Sequence, residues 1–153
     1  DLNRFQKLYN TFIKNFIKYE FELDEIIYQK IPTFRVHLKD NQAVGEWHRD
    51  RDYNHGKSEV NIWLPFTDAY DTNTIWIESE EDKNDFKPYN VSYGEVLVFN
   101  GANLIHGNKT NIEHDTRVSV DFRIVNPTEF IPSTKGSINT NTSFDIGGYF
   151  QKL

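Results

Sequence analysis

From Arg117 to Ile124 the chain alternates polar and apolar residues without a break. Arg117, Ser119, Asp121 and Arg123 fall on one parity, and Val118, Val120, Phe122 and Ile124 on the other. A period of two marks an extended strand with one apolar face. The polar parity has two possible destinations. It lies at a sheet edge facing water, or it lines a barrel interior, where the planar donor fork of Arg117 and the Ser119 hydroxyl form a pocket for a carboxylate.

The rest of the chain is consistent with a sheet protein. After Pro32 come short β-rich runs at 34–38, 44–48, 59–66, 74–78, 95–99 and 104–106, with turn signals between them such as Asn54-His55-Gly56, Tyr93-Gly94 and Asn100-Gly101. Before Pro32, Phe5, Leu8, Phe12, Phe16 and Tyr19 recur every three to four residues, which predicts an amphipathic helix within 2–27 that covers one sheet face. Helices do not alternate with strands, so two packed sheets, a jelly roll or barrel, are expected rather than a parallel sheet. At 153 residues the chain holds a single core. The expected parts are helical support over 1–28, a core over 32–126, and an irregular tail over 128–153 in which Tyr149 and Phe150 tuck back onto the body.

Composition excludes several classes. With no cysteine, disulfides, thiolate zinc sites and Cys nucleophiles are absent. A net charge of -6 argues against non-specific nucleic-acid binding. No run approaches a membrane span, and the opening DLNRFQKLYN lacks a signal peptide's apolar stretch, so a cytoplasmic location is expected. The chain does not begin with Met, which leaves room for a segment upstream of Asp1.

His48 and Asp50 form a His-x-Asp pair within the expected strand 44–48 and just beyond it, where residues two apart share a face. Alone the pair is weak, because a chain with 5 His and 23 acidic residues carries about one by chance. His106 supplies a second imidazole at a strand start. Two imidazoles and one carboxylate leave coordination positions open, which suits non-haem Fe(II), with zinc as the chemical competitor.

In order and spacing, His48-x-Asp50, His106 and Arg117-x-Ser119 resemble the signature of the Fe(II)/2-oxoglutarate-dependent oxygenases. The text from Phe34-Arg35-Val36-His37-Leu38 through Gly45-Glu46-Trp47-His48-Arg49-Asp50-Arg51-Asp52-Tyr53 is similar to their streptomycin-biosynthesis-type hydroxylase branch. The resemblance implies a mainly β fold, a double-stranded β-helix (jelly roll, cupin-like) with an N-terminal supporting helix. It implies Fe(II) on His48, Asp50 and His106, with 2-oxoglutarate and O2 as cosubstrates. The far carboxylate of 2-oxoglutarate would pair with Arg117, helped by Ser119. The implied reaction hydroxylates a C–H bond of a small polar molecule and releases succinate and CO2. The alternatives are a zinc- or manganese-dependent cupin-like isomerase or hydrolase, and a non-catalytic jelly-roll binding module.

Further residues follow from position. Asn61 hydrogen-bonds the cosubstrate near the metal or sits as a satisfied core amide. Arg35 and His37 share a strand face and reach either the substrate pocket or a structural ion pair. Arg51 and Tyr53 lie on a loop at the metal mouth, placed to contact substrate. Arg49 points away from the ligands, Arg123 pairs with Asp121 or a neighbouring acid, and His55 and His114 are expected at the surface.

Overall fold

The computed structural model describes residues 1–43, 46–137 and 141–153. Helix α1 (Leu2–Phe12) is capped by Asp1 and runs through a π turn (Ile13–Ile17) into α2 (Lys18–Glu20). Strands follow at β1 (Ile27–Gln29), β2 (Thr33–His37), β3 (Val60–Pro65), β4 (Ile75–Ile77), β5 (Lys87–Tyr89), β6 (Leu97–Phe99), β7 (His106–Gly107), β8 (Arg117–Val125), β9 (Ser133–Gly136), β10 (Ser143–Phe144) and β11 (Phe150–Lys152). Among the described residues no helix is long and apolar enough to cross a membrane.

The main sheet is six-stranded and antiparallel, in the order β11-β1-β8-β3-β6, with β2 also paired to β8. Its centre is β8, which matches the expected bounds and carries β1 and β2 along one edge and β3 along the other. A second sheet, β5-β4-β7, faces it, and β9 and β10 form a separate pair. The apolar parity of β8, with Ile62 and Tyr28, packs beneath Tyr9, Ile13 and Ile17 of the helix. Between the sheets a second cluster gathers Trp63, Ala69, Ile75, Ile77 and Val91.

Four expectations need correction. The chain is mainly β with one N-terminal helical segment, but the sheets do not form the expected double-stranded β-helix. The second sheet consists of strands of three, three and two residues, too short to complete a jelly roll around the main one. Of the expected strand 44–48, Val44 and Gly45 lie outside the described residues, and the rest reduces to an isolated bridge between His48 and His106. The helix also buries a different stripe. Leu8 and Tyr19 are exposed, and Tyr9, Ile13 and Ile17 are inside. The π turn widens the helix at Ile13–Ile17, so four-residue steps stay on one face there, which an α-helical count from Phe5 misses. The tail, finally, is not irregular throughout: β11 adds to β1, and Phe144 and Phe150 bury against Ile27 and Val125.

Candidate metal centre

The polar parity of β8 is buried rather than at an edge: Arg117, Ser119, Asp121 and Arg123 are all inaccessible, and they line or back a cavity between the two sheets. Its volume is about 50 Å³. At the roughly 10–15 Å³ that one water needs, this holds an ion and a few small-ligand atoms.

His48 and Asp50 do not share a strand face. The chain is extended at Arg49 and then turns into a 3-10 helix, Asp50–Tyr53, whose first residue is the buried acid. Backbone bonds fix both ends of this corner. His48 and His106 exchange N–H···O bonds of 3.1 and 3.0 Å, and the Asp50 amide donates to the Gly101 carbonyl at 2.9 Å. Two glycines permit the approach. A Cβ on Gly107 would lie 2.9 Å from the Trp47 ring, and one on Gly101 2.7 Å from the Asn61 amide. Buried Glu78 accepts from the Ile105 amide at 2.6 Å and so holds the run into His106.

Hydrogen bonds then choose which atoms face inward. His48 Nδ1 lies 2.9 Å from the Glu46 carbonyl, and His106 Nδ1 3.0 Å from that of Leu104. A carbonyl only accepts, so both Nδ1 atoms carry the proton and both Nε2 atoms keep a lone pair. Those Nε2 atoms lie 3.5 and 3.7 Å from one oxygen of Asp50, its Oδ1. The other oxygen, Oδ2, is occupied: Arg123 donates to it from Nε at 2.9 Å and from Nη2 at 2.8 Å, and Asn61 Nδ2 donates at 2.7 Å. Burial alone would raise the Asp50 carboxyl, but Arg123, His48 and the other donors hold it well below the usual carboxylate range. The Asp50 contact raises His48, while burial lowers His106.

At another part of the cavity wall Arg117 has only neutral partners. It donates to the Asn73 carbonyl at 3.0 Å and to Ser119 Oγ at 2.8 Å, and its Nη2 lies 3.3 Å from His37 Nδ1. Among the described residues no carboxylate lies within ion-pair distance of it. Burial and the nearby Arg35 charge push its pKa down to about 10.

The structure thus brings together His48, Asp50, His106, Asn61, Arg117 and Arg35 around one cavity, with Ser119 behind Arg117. Asn61 contacts Asp50, and its Oδ1 is buried without a partner. Arg35 pairs with Asp121 while still lining the cavity. His37 does not line it: fully buried, it passes from Arg117 to the Asn41 carbonyl, 2.8 Å from Nε2. Arg51 reaches Asn103 and Glu81, and Tyr53 donates to Glu46 while its ring edge meets His48. Arg49 turns away to Glu78 and Asp82. His55, expected at the surface, packs against Phe144 and bonds Glu59. Sequence reasoning missed Arg123 as Asp50's partner. Its shared parity with Arg117 was the available signal.

No protein-family model matches the chain. It is 47% identical over 132 residues to the Streptomycin biosynthesis protein StrG of Streptomyces griseus, covering 86% of this chain and 63% of StrG. It shares its fold with the crystal structure of EvdMO1, at a TM-score of 0.51 and 20% identity over 63% of this chain and 27% of that one. AviO1 from Streptomyces viridochromogenes Tue57 gives 0.52 and 21%, over 66% and 53%. ThoJ, a non-haem monooxygenase solved as a nickel complex, gives 0.53 and 14%, over 74% and 50%. The chain therefore spans under two thirds of StrG and from about a quarter to about half of these solved chains.

At the coarse level these likenesses are to enzymes. They overturn the expected place in the Fe(II)/2-oxoglutarate oxygenase superfamily and its hydroxylase branch: the relative is named for a biosynthesis, and the chemistry named among the shared folds is that of a monooxygenase. Hydroxylation with release of succinate and CO2 falls with that assignment. The cupin-like isomerase or hydrolase and the non-catalytic jelly-roll module gain no support from the same comparisons.

Proposed function

We propose that the protein is a mononuclear non-haem enzyme of monooxygenase type acting on a small polar molecule, with Fe(II) held by His48, Asp50 and His106. One observation carries this reading: two imidazole Nε2 lone pairs and one free carboxylate oxygen face a common point, while the remaining polar atoms of the three side chains are already bonded. Two donors at roughly 2.0–2.2 Å from one ion lie no more than about 4.4 Å apart. The 3.5 and 3.7 Å separations from Oδ1 meet that condition, and all three donor atoms lie within 4.8 Å of one another, close to it. The donor set therefore fits a divalent transition metal and leaves positions for exogenous ligands. Likeness to a streptomycin biosynthesis protein supports a substrate from natural-product biosynthesis.

A bound ferrous ion supplies the activation of O2. The chain's own residues supply the rest. The carbonyls of Glu46 and Leu104 keep the histidines in the tautomer that presents Nε2. Inserting one oxygen atom into a C–H bond and reducing the other to water consumes two electrons and two protons beyond O2, so a co-reductant must bind. Arg117, buried without an anionic partner and braced by Ser119, suits a carboxylate on that co-reductant or on the substrate. 2-Oxoglutarate serves as a probe of this position.

Anaerobic titration tests the reading. One Fe(II) or Co(II) per chain is expected, with binding lost in His106→Ala. An ion held equally well by that variant overturns the assignment. With the ion in place, 2-oxoglutarate binding that is unchanged by Arg117→Met removes the anion role of Arg117.

A further inference from the structure

We infer that the C-terminal tail belongs to the metal centre: Tyr149 of the tail and Arg123 of β8 are positioning residues that hold Asp50 as a one-oxygen ligand. This rests on the metal reading above and extends it to the tail. Every nitrogen of Arg123 is committed. Nε and Nη2 hold Asp50 Oδ2, and Nη1 donates to the Tyr149 hydroxyl at 2.9 Å and faces Gln29 Oε1 at 3.4 Å. A guanidinium tied at both ends cannot follow the carboxylate if it swings. Chelation through both Asp50 oxygens would require Oδ2 to leave Arg123 and Asn61 together. The ion is therefore offered Oδ1 alone.

Tyr149 is itself fixed by the tail. Its carbonyl accepts from Lys30 N–H at 2.8 Å, its ring meets Phe144 and Phe150 at centroid distances of 4.9 Å each, and the next residues pair with β1 as Phe150–Lys152. β1 pairs in turn with the end of β8 that bears Arg123. Docking of the tail and orientation of the metal carboxylate are thus one mechanical unit. By linkage, whatever the tail contributes to metal affinity the metal returns to tail docking.

The full chain, Co(II) as probe, and two variants test this. Loss of an outer contact to a metal ligand costs roughly 10–100-fold in affinity. Arg123→Lys, which keeps the charge but not the fork, is expected to lose that much and to change the Co(II) d–d spectrum, because the freed carboxylate can chelate. Tyr149→Phe is expected to weaken Co(II) a few-fold, and Co(II) to slow amide exchange across 149–153 in wild type but not in this variant. If Tyr149→Phe lowers only the melting temperature of the metal-free protein, leaving affinity and exchange alone, the residue is structural and the inference fails. If wild type binds Co(II) and Arg123→Lys keeps both affinity and spectrum, the inference fails while the metal reading stands. If wild type binds no Co(II), both fail.

Discussion

Arg117 and Arg123 stand six residues apart on the same face of β8, both buried, and they have opposite surroundings. Arg123 meets a carboxylate through two nitrogens, and although burial opposes its charge, Asp50 raises its pKa above the ordinary guanidinium value. Arg117 meets a carbonyl, a hydroxyl and an imidazole, and burial pushes it the other way, to about 10. An ionised group removed from water is costly unless an opposite charge compensates it. The first arginine is compensated within the fold and so serves the architecture. The second keeps its charge at neutral pH with no carboxylate in ion-pair distance among the described residues, and Asp121, which lines the same cavity, offsets it only in part.

The largest effect should come from breaking the compensated pair. Arg123→Met leaves Asp50 as a buried carboxylate without its guanidinium. Breaking such a pair from one side costs about 3–5 kcal/mol. Urea denaturation of the metal-free protein measures it. A loss under about 1 kcal/mol would mean that Asp50 finds water or another donor, and the contrast between the two arginines would disappear.

Acid sharpens the same contrast. The Asp50 carboxyl titrates in the folded chain well below its ordinary 3.8. Where the unfolded chain binds a proton that the folded chain does not, stability falls as pH falls. The contribution of this group is complete above its unfolded pKa and is lost as pH drops through the folded one. Stability curves of metal-free wild type and Asp50→Asn should differ in acid by one proton's worth of slope. Parallel curves would mean that the pair with Arg123 does not lower the carboxyl.

Some of this was legible in the sequence for local reasons. Strand β8 could be bounded because alternation is a property of neighbouring residues. The convergence of His48, Asp50 and His106 could be anticipated from the order of the motifs, although its route is a 3-10 corner rather than a strand face. What could not be read depends on distance or on a single irregular turn. Asp50 and Arg123 are 73 residues apart, so nothing local to Arg123 selects Asp50 over Asp121, which Arg35 takes instead. The π turn at Ile13–Ile17 carries the buried helix stripe on to Ile17 and leaves Phe16 exposed. In the tail, Ser, Thr, Asn and Gly masked Phe144, while the return of Tyr149 and Phe150 onto the body was legible from their bulk. The activity lay furthest from view, because short motifs name candidate donors and leave the reaction open.

A methionine at position 117 gives a milder expectation than one at 123. It removes three hydrogen bonds and, with them, a buried charge that Asp121 offsets only in part. It strands no charged partner, only neutral groups that cost about 1–3 kcal/mol each where they stay unpaired, and it relieves a buried charge, so Arg117→Met should cost less than Arg123→Met while losing carboxylate binding. A destabilisation as large as that of Arg123→Met would mean that Arg117 is architectural too.

The smallest readout, a change in a stability deficit on adding an anion, separates bracing from binding at the same end. Ser119 Oγ accepts from Arg117 Nη1 at 2.8 Å, and both groups are buried. Ser119→Ala removes one hydrogen bond from a charged donor, worth about 1.5–3 kcal/mol. It also frees one donor of the guanidinium. If Arg117 exists to meet an external carboxylate, a bound anion can take that donor, so the stability deficit of Ser119→Ala should shrink when 2-oxoglutarate is added to the Co(II)-loaded protein. If the hydroxyl instead only completes the packing behind β2, the deficit stays the same with and without the anion, and the difference between the two arginines reduces to one of local polarity.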